Sequence, residues 1–307
     1  MTQIFRGEGK FNSCLNILNQ EQIKMNEWVA PRLTGGLGNR LFEFAAALGL
    51  AEKYKKPCIF LKTQFTRNDH GPMDSICKLY PSIPVVETSA EVQTMYYERR
   101  NGCFVYDPFP EVPAGHCIVV DGWRQSEKYF PKNKEDLVPS WTAFLTDQDQ
   151  LKLQQTYGLN TQEKRQKTWF LHVRLGDYKV LPHHQIPILP YYQTCLNQVP
   201  KDHKVYLFSD EPHLCGQWVE SQCKSRGLQF EVCNESDEIR ALYVMSQCWG
   251  GAIVANSTFS WWGAYFAWLA QGQKDSYKAF YPSIWGQGLP PAIDVVPRFG
   301  KTVEIQL

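Results

Sequence analysis

No stretch of this chain holds the roughly 18 consecutive apolar residues that a helix needs to cross a bilayer. The opening Met1-Thr-Gln-Ile-Phe-Arg-Gly-Glu-Gly-Lys10 has no apolar signal-peptide core. As written, the chain is expected to be soluble and cytoplasmic, or Golgi-lumenal if an anchor is missing from it. There is no basic run and no acidic tail, and the formal net charge is +1. That balance argues against a nucleic-acid partner held by a broad positive face, although a small anion needs only a few local donors. Ten cysteines form no C-x-x-C pair, which argues against a zinc site. Their even number permits disulfides, and buried free thiols fit equally well. No internal repeat and no low-complexity segment is present.

What is there suits a large, well-filled core. The 307 residues allow two ordinary domains or one large one, and 43% of them are hydrophobic. Aromatics reach 14%, with ten Trp and fifteen Tyr. Most of these are expected to fill the core, but ring faces also pack well on the C–H groups of sugars. The first 28 residues are polar and weakly periodic, a possible tail. Trp28 to Leu33 is a strand candidate that runs into Thr34-Gly-Gly-Leu-Gly-Asn39. Arg40 to Lys56 then has helical composition, and Cys58-Ile-Phe-Leu61 is the next strand. Strand, glycine loop, helix and strand in that order indicate an α/β architecture. Residues 65–135 are irregular apart from a buried strand at His116 to Asp121.

The polar run Thr161 to Lys167 marks the expected boundary between an N-terminal domain, 1–165, and a C-terminal domain, 166–307. Beyond it, three apolar strands each end in polar residues. Thr168 to Arg174 leads into Leu175-Gly-Asp-Tyr178. Lys204 to Phe208 leads into Ser209-Asp-Glu211. Gly251 to Ala255 leads into Asn256-Ser-Thr-Phe-Ser260. Ligands of open α/β sheets sit beyond the carboxyl ends of the strands, so the second domain has the layout of a nucleotide-binding unit.

Each cluster has a chemical use and a plainer alternative. His172 and Arg174 point to one face of their strand. An arginine fork there could hold a diphosphate and stabilise charge on a departing β-phosphate. The alternative is a structural ion pair between Arg174 and Asp177. Ser257 and Thr258 are natural caps for the helix that follows, and a helix tip with free N–H groups binds phosphate. The alternative is an ordinary cap on a core helix. Asp210 could accept the two N–H donors of a guanine edge, or simply cap a helix.

Gly36-Leu-Gly38 resembles a dinucleotide fingerprint and fails it. Leu41 stands at the third glycine, and Lys55-Lys-Pro57 stands where an acid is needed, which argues against an oxidoreductase. The Asp-x-Asp spacing that can hold a divalent ion at a strand end occurs at Asp147-Gln-Asp149, in a polar helical segment read as a solvated face. His183-His184 is read as a loop pair. No metal and no cofactor are expected.

Gly36-Leu-Gly-Asn-Arg-Leu-Phe-Glu-Phe-Ala45, His172 to Tyr178, and Asn256 to Trp262 together resemble the α1,2-fucosyltransferases of glycosyltransferase family 11. Their order spans most of the chain. The resemblance implies a GT-B fold, two Rossmann-like domains facing a cleft. It implies inverting, metal-independent transfer of fucose from GDP-β-L-fucose to an acceptor glycan, with galactose O2 the usual target. It also assigns roles. Arg174 would hold the β-phosphate, and Ser257, Thr258 and Phe259 would wrap the phosphates. His172 and Asp210 would face the base or ribose, while Gly36, Gly38 and Asn39 would close on the donor. The family's second arginine is Leu175 here, and its usual glutamine is Arg40, which could supply the lost charge from the first domain. Asp177 is the first candidate for general base and Glu43 the second, against a plain surface role for Glu43. A catalytically weak GDP-sugar-binding protein and a transferase for another GDP-sugar are the alternatives.

Overall fold

The computed structural model describes residues 27–66, 71–87, 94–98, 104–289 and 292–305. All but the end of the expected tail lies outside them.

The first half is built on β1 (Val29–Pro31), β2 (Phe60–Leu61), β3 (Val85–Val86), β4 (Thr94–Tyr96) and β5 (Ile118–Val120). β4, β5 and β1 form one parallel sheet, and β2 pairs with β3. A parallel bridge between Val29 and Cys58 joins the two pieces, giving the order β3-β2-β1-β5-β4. Helix α1 (Leu37–Tyr54) follows β1 directly, and α2 (Ser75–Leu79) follows β2. The irregular stretch before β5 is irregular in space too, with strands of two or three residues.

The second half is built on β6 (Thr168–Val173), β7 (Lys204–Ser209), β8 (Gln229–Val232), β9 (Gly251–Ile253), β10 (Ala279–Pro282) and β11 (Gly300–Val303). Its helices are α5 (Leu189–Leu196), α6 (Pro212–Lys224), α7 (Glu238–Ser246) and α8 (Thr258–Ala270). All six strands are parallel, in the order β11-β10-β9-β6-β7-β8. Counted from β6, that is the doubly wound order 3-2-1-4-5-6, whose switch point lies between β6 and β9. β6 is buried at every position, as the central strand of a parallel sheet covered on both faces must be.

Two short helices, α3 (Asp147–Thr156) and α4 (Gln162–Gln166), lie between the sheets, and α4 occupies the polar run set as the boundary. Asp149 closes a capping box with Thr146 at the start of α3, which gives the Asp147–Asp149 pair a structural use. No group of three or more metal-ligating side chains occurs among the described residues.

The halves share a core. Helix α8 is apolar all round and buried over nearly its whole length, as a helix enclosed on every side must be. Phe42 of α1 packs on Trp261 and Trp262 at ring separations of 4.5 and 5.2 Å, and Phe130 stacks on Trp262 at 5.2 Å. No helix among the described residues is long and apolar enough to cross a membrane.

Candidate active site

The carboxyl ends of both sheets meet at Asn39, in the first turn of α1. Thr258 Oγ1, at the first residue of α8, donates to Asn39 Oδ1 at 2.8 Å, and Gln125 Nε2, beyond β5, donates to the same oxygen at 3.3 Å. The N-termini of α1 and α8 therefore come together beside the switch point of the second sheet. Neither has a side-chain cap, and neither has an acid in its first turn. Two positive dipole ends with backbone N–H groups left open make an anion-binding environment.

Gly38 explains how the helices approach so closely. A Cβ on Gly38 would lie 2.5 Å from Phe259 N and 2.6 Å from Thr258 Oγ1. This glycine, expected to close on the donor, is also needed by the neighbouring helix, where it packs against the Thr258–Phe259 peptide. Gly36 differs, because a Cβ there would meet nothing within 4 Å. Gly35 has φ +64, the left-handed turn that lets the chain leave β1 and enter α1.

Glu43, weighed as a base or a surface residue, does not lie on the surface. It is fully buried, and its two oxygens accept Thr34 N at 2.8 Å and Thr34 Oγ1 at 2.5 Å. Burial pushes its carboxyl up to about 8, against the Thr34 hydrogen bonds and the Arg40 charge, which pull the other way. It straps the start of the glycine loop from below. Arg40, expected to supply charge to the donor, has a structural use. Its guanidinium is wholly buried and donates to Pro72 O at 2.5 Å, with Glu238 of α7 at 4.0 Å. It pins the two halves together.

The charged side of the site lies at the end of β6. Arg174 bonds Asp177 Oδ1 at 2.6 Å and Asp210 Oδ2 at 2.9 Å, and its side chain is about one third exposed. The structural Arg174–Asp177 pair is therefore present, with a second carboxylate added. Asp210 also accepts Leu175 N at 2.9 Å, so both its oxygens brace the turn after β6. Asp210, expected to face the base or ribose, thus also has a structural use here. His172 is buried, with its ring 6.0 Å from that of Phe259. Burial, with the nearby Arg174 charge, pushes it down to about 3, so the imidazole is neutral. Its Nδ1 finds no partner among the described residues.

Tyr178 joins the charged cluster to the helix tip, a role not foreseen although the residue ends its own motif. Arg174 lies over its ring at 5.6 Å, and its hydroxyl donates to Asn256 O at 2.9 Å and also bonds the Ser257 side chain. His184, read as a loop residue, stacks on Tyr178 at 4.2 Å. Asn256 Nδ2 is tied to His184 O and Trp285 O, so this asparagine is a buried staple. Arg174 and Ser257 thus lie on one site.

An open six-stranded sheet with a guanidinium and an uncapped helix tip at its switch point, faced by a second α/β sheet, has the layout of a GT-B fold. The profile of glycosyl transferase family 11 matches residues 119–271. That match spans just under half of the chain, and the chain is a glycosyltransferase. The chain is 24% identical to the O-antigen biosynthesis glycosyltransferase WbnK of Escherichia coli, over 76% of this chain and 88% of that protein. It is 22% identical to an alpha-1,2-colitosyltransferase of Escherichia coli, over 77% of this chain and 87% of that one. Among solved structures, NodZ alpha-1,6-fucosyltransferase matches with a TM-score of 0.47 and 14% identity, over 78% of this chain and 91% of that one.

Proposed function

We propose that the chain is an inverting, metal-independent α1,2-fucosyltransferase that uses GDP-β-L-fucose and a galactose-terminated glycan. The observation that carries this reading is the Asn39–Thr258 hydrogen bond, which sets two uncapped helix tips beside Arg174. The diphosphate of the donor lies between them, and Arg174 neutralises the charge that grows on the β-phosphate as the glycosidic bond breaks. The buried, unpartnered His172 Nδ1 suits a ligand hydroxyl. The family 11 match over residues 119–271 and the 1,2 linkage in the name of one relative support the linkage.

Without ligand, one guanidinium faces two carboxylates. A diphosphate adds negative charge, so one carboxylate must give way. Asp210 is held by Leu175 N, whereas Asp177 is the carboxylate free to swing. In this reading donor binding releases Asp177 to take the proton of the acceptor hydroxyl. The hydroxyl oxygen attacks the anomeric carbon from the side opposite the leaving group. The bond to the β-phosphate oxygen breaks, GDP departs, and the β-linked sugar becomes α-linked.

A donor panel of GDP-fucose, GDP-mannose, GDP-colitose and UDP-galactose tests this, with GDP or UDP release as the signal and a chelator in a parallel series. GDP-fucose is expected to turn over fastest, with chelator or without. Faster turnover of GDP-colitose would support the second reading, a transferase for another GDP-sugar, for which the colitosyl relative is the reason. Preference for UDP-galactose would remove the guanine-nucleotide assignment.

A further inference from the structure

We propose that the turn at Asp121 to Gln125 is the acceptor subsite, with the Trp123 indole and the Tyr97 ring forming a platform for a neutral pyranose. The inference rests on the transferase reading above and adds the residues that meet the second substrate.

Position is the first argument. The turn lies at the carboxyl end of β5, the neighbour of β1, whose own end carries the glycine loop. Gln125, its last residue, donates to the Asn39 oxygen that also binds Thr258. A group resting on this turn is therefore next to the place where the donor is expected.

Exposure is the second. Trp28, Trp169, Trp261, Trp262, Trp268 and Trp285 are buried, whereas Trp123 is 45% exposed. Tyr97, at the end of the adjacent β4, is 66% exposed. Single exposed apolar residues are common, but two open aromatic side chains at the ends of paired strands make a more informative apolar surface.

Backbone is the third. Gly122 has φ +108 and Arg124 has φ +48, so a non-glycine residue is held in the left-handed region. The surrounding structure over-determines this. Glu98 accepts Trp123 N at 2.9 Å and Arg124 N at 3.0 Å on its two oxygens, and a Cβ on Gly122 would collide with the Glu98 Cβ at 2.2 Å. The Arg124 guanidinium points inward, lies over Phe109 and Tyr129 at 4.8 and 5.5 Å, and donates to Tyr96 O at 3.0 Å. A half-buried carboxylate and a buried guanidinium thus hold a strained turn whose outward product is the placement of Trp123.

Chemistry names the ligand. An indole face packs on the C–H face of a pyranose. Beside it, Asp121 Oδ2 and Arg32 Nη1 pair at 2.8 Å, offering an acceptor and a donor to sugar hydroxyls with no net charge. That fits a neutral sugar and disfavours an acidic one.

The test compares wild type, Trp123→Ala and Trp123→Phe on a glycan array containing neutral β-galactosides and sialylated glycans. GDP affinity is measured by calorimetry in parallel, with thermal melts as a check on folding. The expected result is at least a tenfold rise in acceptor KM for W123A, less than threefold for W123F, and GDP affinity unchanged within twofold in both. An acceptor KM unmoved by W123A overturns the platform while leaving the donor reading intact. So does a wild type that labels acidic glycans alone, or none. A wild type that binds no GDP sinks the donor reading, and the acceptor subsite with it.

Discussion

The N-terminal sheet brings to the site a glycine loop held from below by a buried carboxyl, Glu43, whose proton is retained at neutral pH. The C-terminal sheet brings a partly solvated guanidinium held by two carboxylates, Asp177 and Asp210. One side is shaped by close packing and neutral hydrogen bonds, the other by charge. The first can fix geometry before any ligand arrives. The second can exchange one anionic partner for another. Transfer of a sugar from a diphosphate needs both, a rigid wall for the phosphates and a cation whose partner can leave.

The largest expected effect comes from breaking the charged side. Arg174→Ala should lower kcat for GDP release by about 10²–10³-fold, the usual cost of removing one transition-state donor. Because the side chain is partly exposed, stability should shift by no more than about 1 kcal/mol. Arg174→Lys keeps the charge without the planar fork and should fall between the two. Steady-state kinetics with a thermal melt checks both, and a loss below fivefold for R174A would place the diphosphate elsewhere.

The opposite side is probed by pH. Glu43 ionises near 4.5 in the unfolded chain and near 8 when folded. Between those values the folded state holds the extra proton, so stability is full below the lower value. It is lost as pH rises through about 8, by on the order of a few kcal/mol. Glu43→Gln mimics the protonated acid, since its amide can donate to Thr34 Oγ1 while its oxygen accepts Thr34 N. E43Q should stay active and flatten the decline in melting temperature between pH 5 and pH 8. A dead but well-folded E43Q would restore the general-base reading.

The same contrast decides what could be read from the sequence. In the second half β6, β7 and β9 were legible with their three polar ends, where Arg174 and Ser257 stand, while β8, β10 and β11 were not read. Apolar runs ending in polar clusters determine parallel strands and the place where a ligand must sit. The packed side was legible in outline and misread in detail. A glycine at 38 has the same composition whether a phosphate or a neighbouring helix approaches it. Arg40 and Glu43, one helical turn apart, depend on Pro72, Glu238 and Thr34, and no local pattern encodes those contacts. The brace from Asp210 to the turn after β6 was not read for a related reason, since that partner is set by strand pairing.

The smallest and most discriminating effect separates the two glycines. Gly38→Ala drives a methyl group into the Thr258–Phe259 peptide at 2.5 Å, where backbone and not a flexible side chain must move. Overpacking of this kind costs about 1–3 kcal/mol, which lowers the melting temperature by about 2–4 °C per kcal/mol in a chain of this size. Gly36→Ala adds the same methyl group where φ is −74 and no atom lies within 4 Å. Its melting temperature should stay the same or rise slightly, because the unfolded chain loses freedom. If the open side of the loop is where the diphosphate lies, G36A should weaken GDP binding by about tenfold, the loss of about 1.4 kcal/mol. G38A would then fail by stability and G36A by affinity, two residues apart on one turn. Unchanged GDP binding in G36A would mean that the loop faces away from the donor, leaving Arg174 and the tip of α8 to hold it.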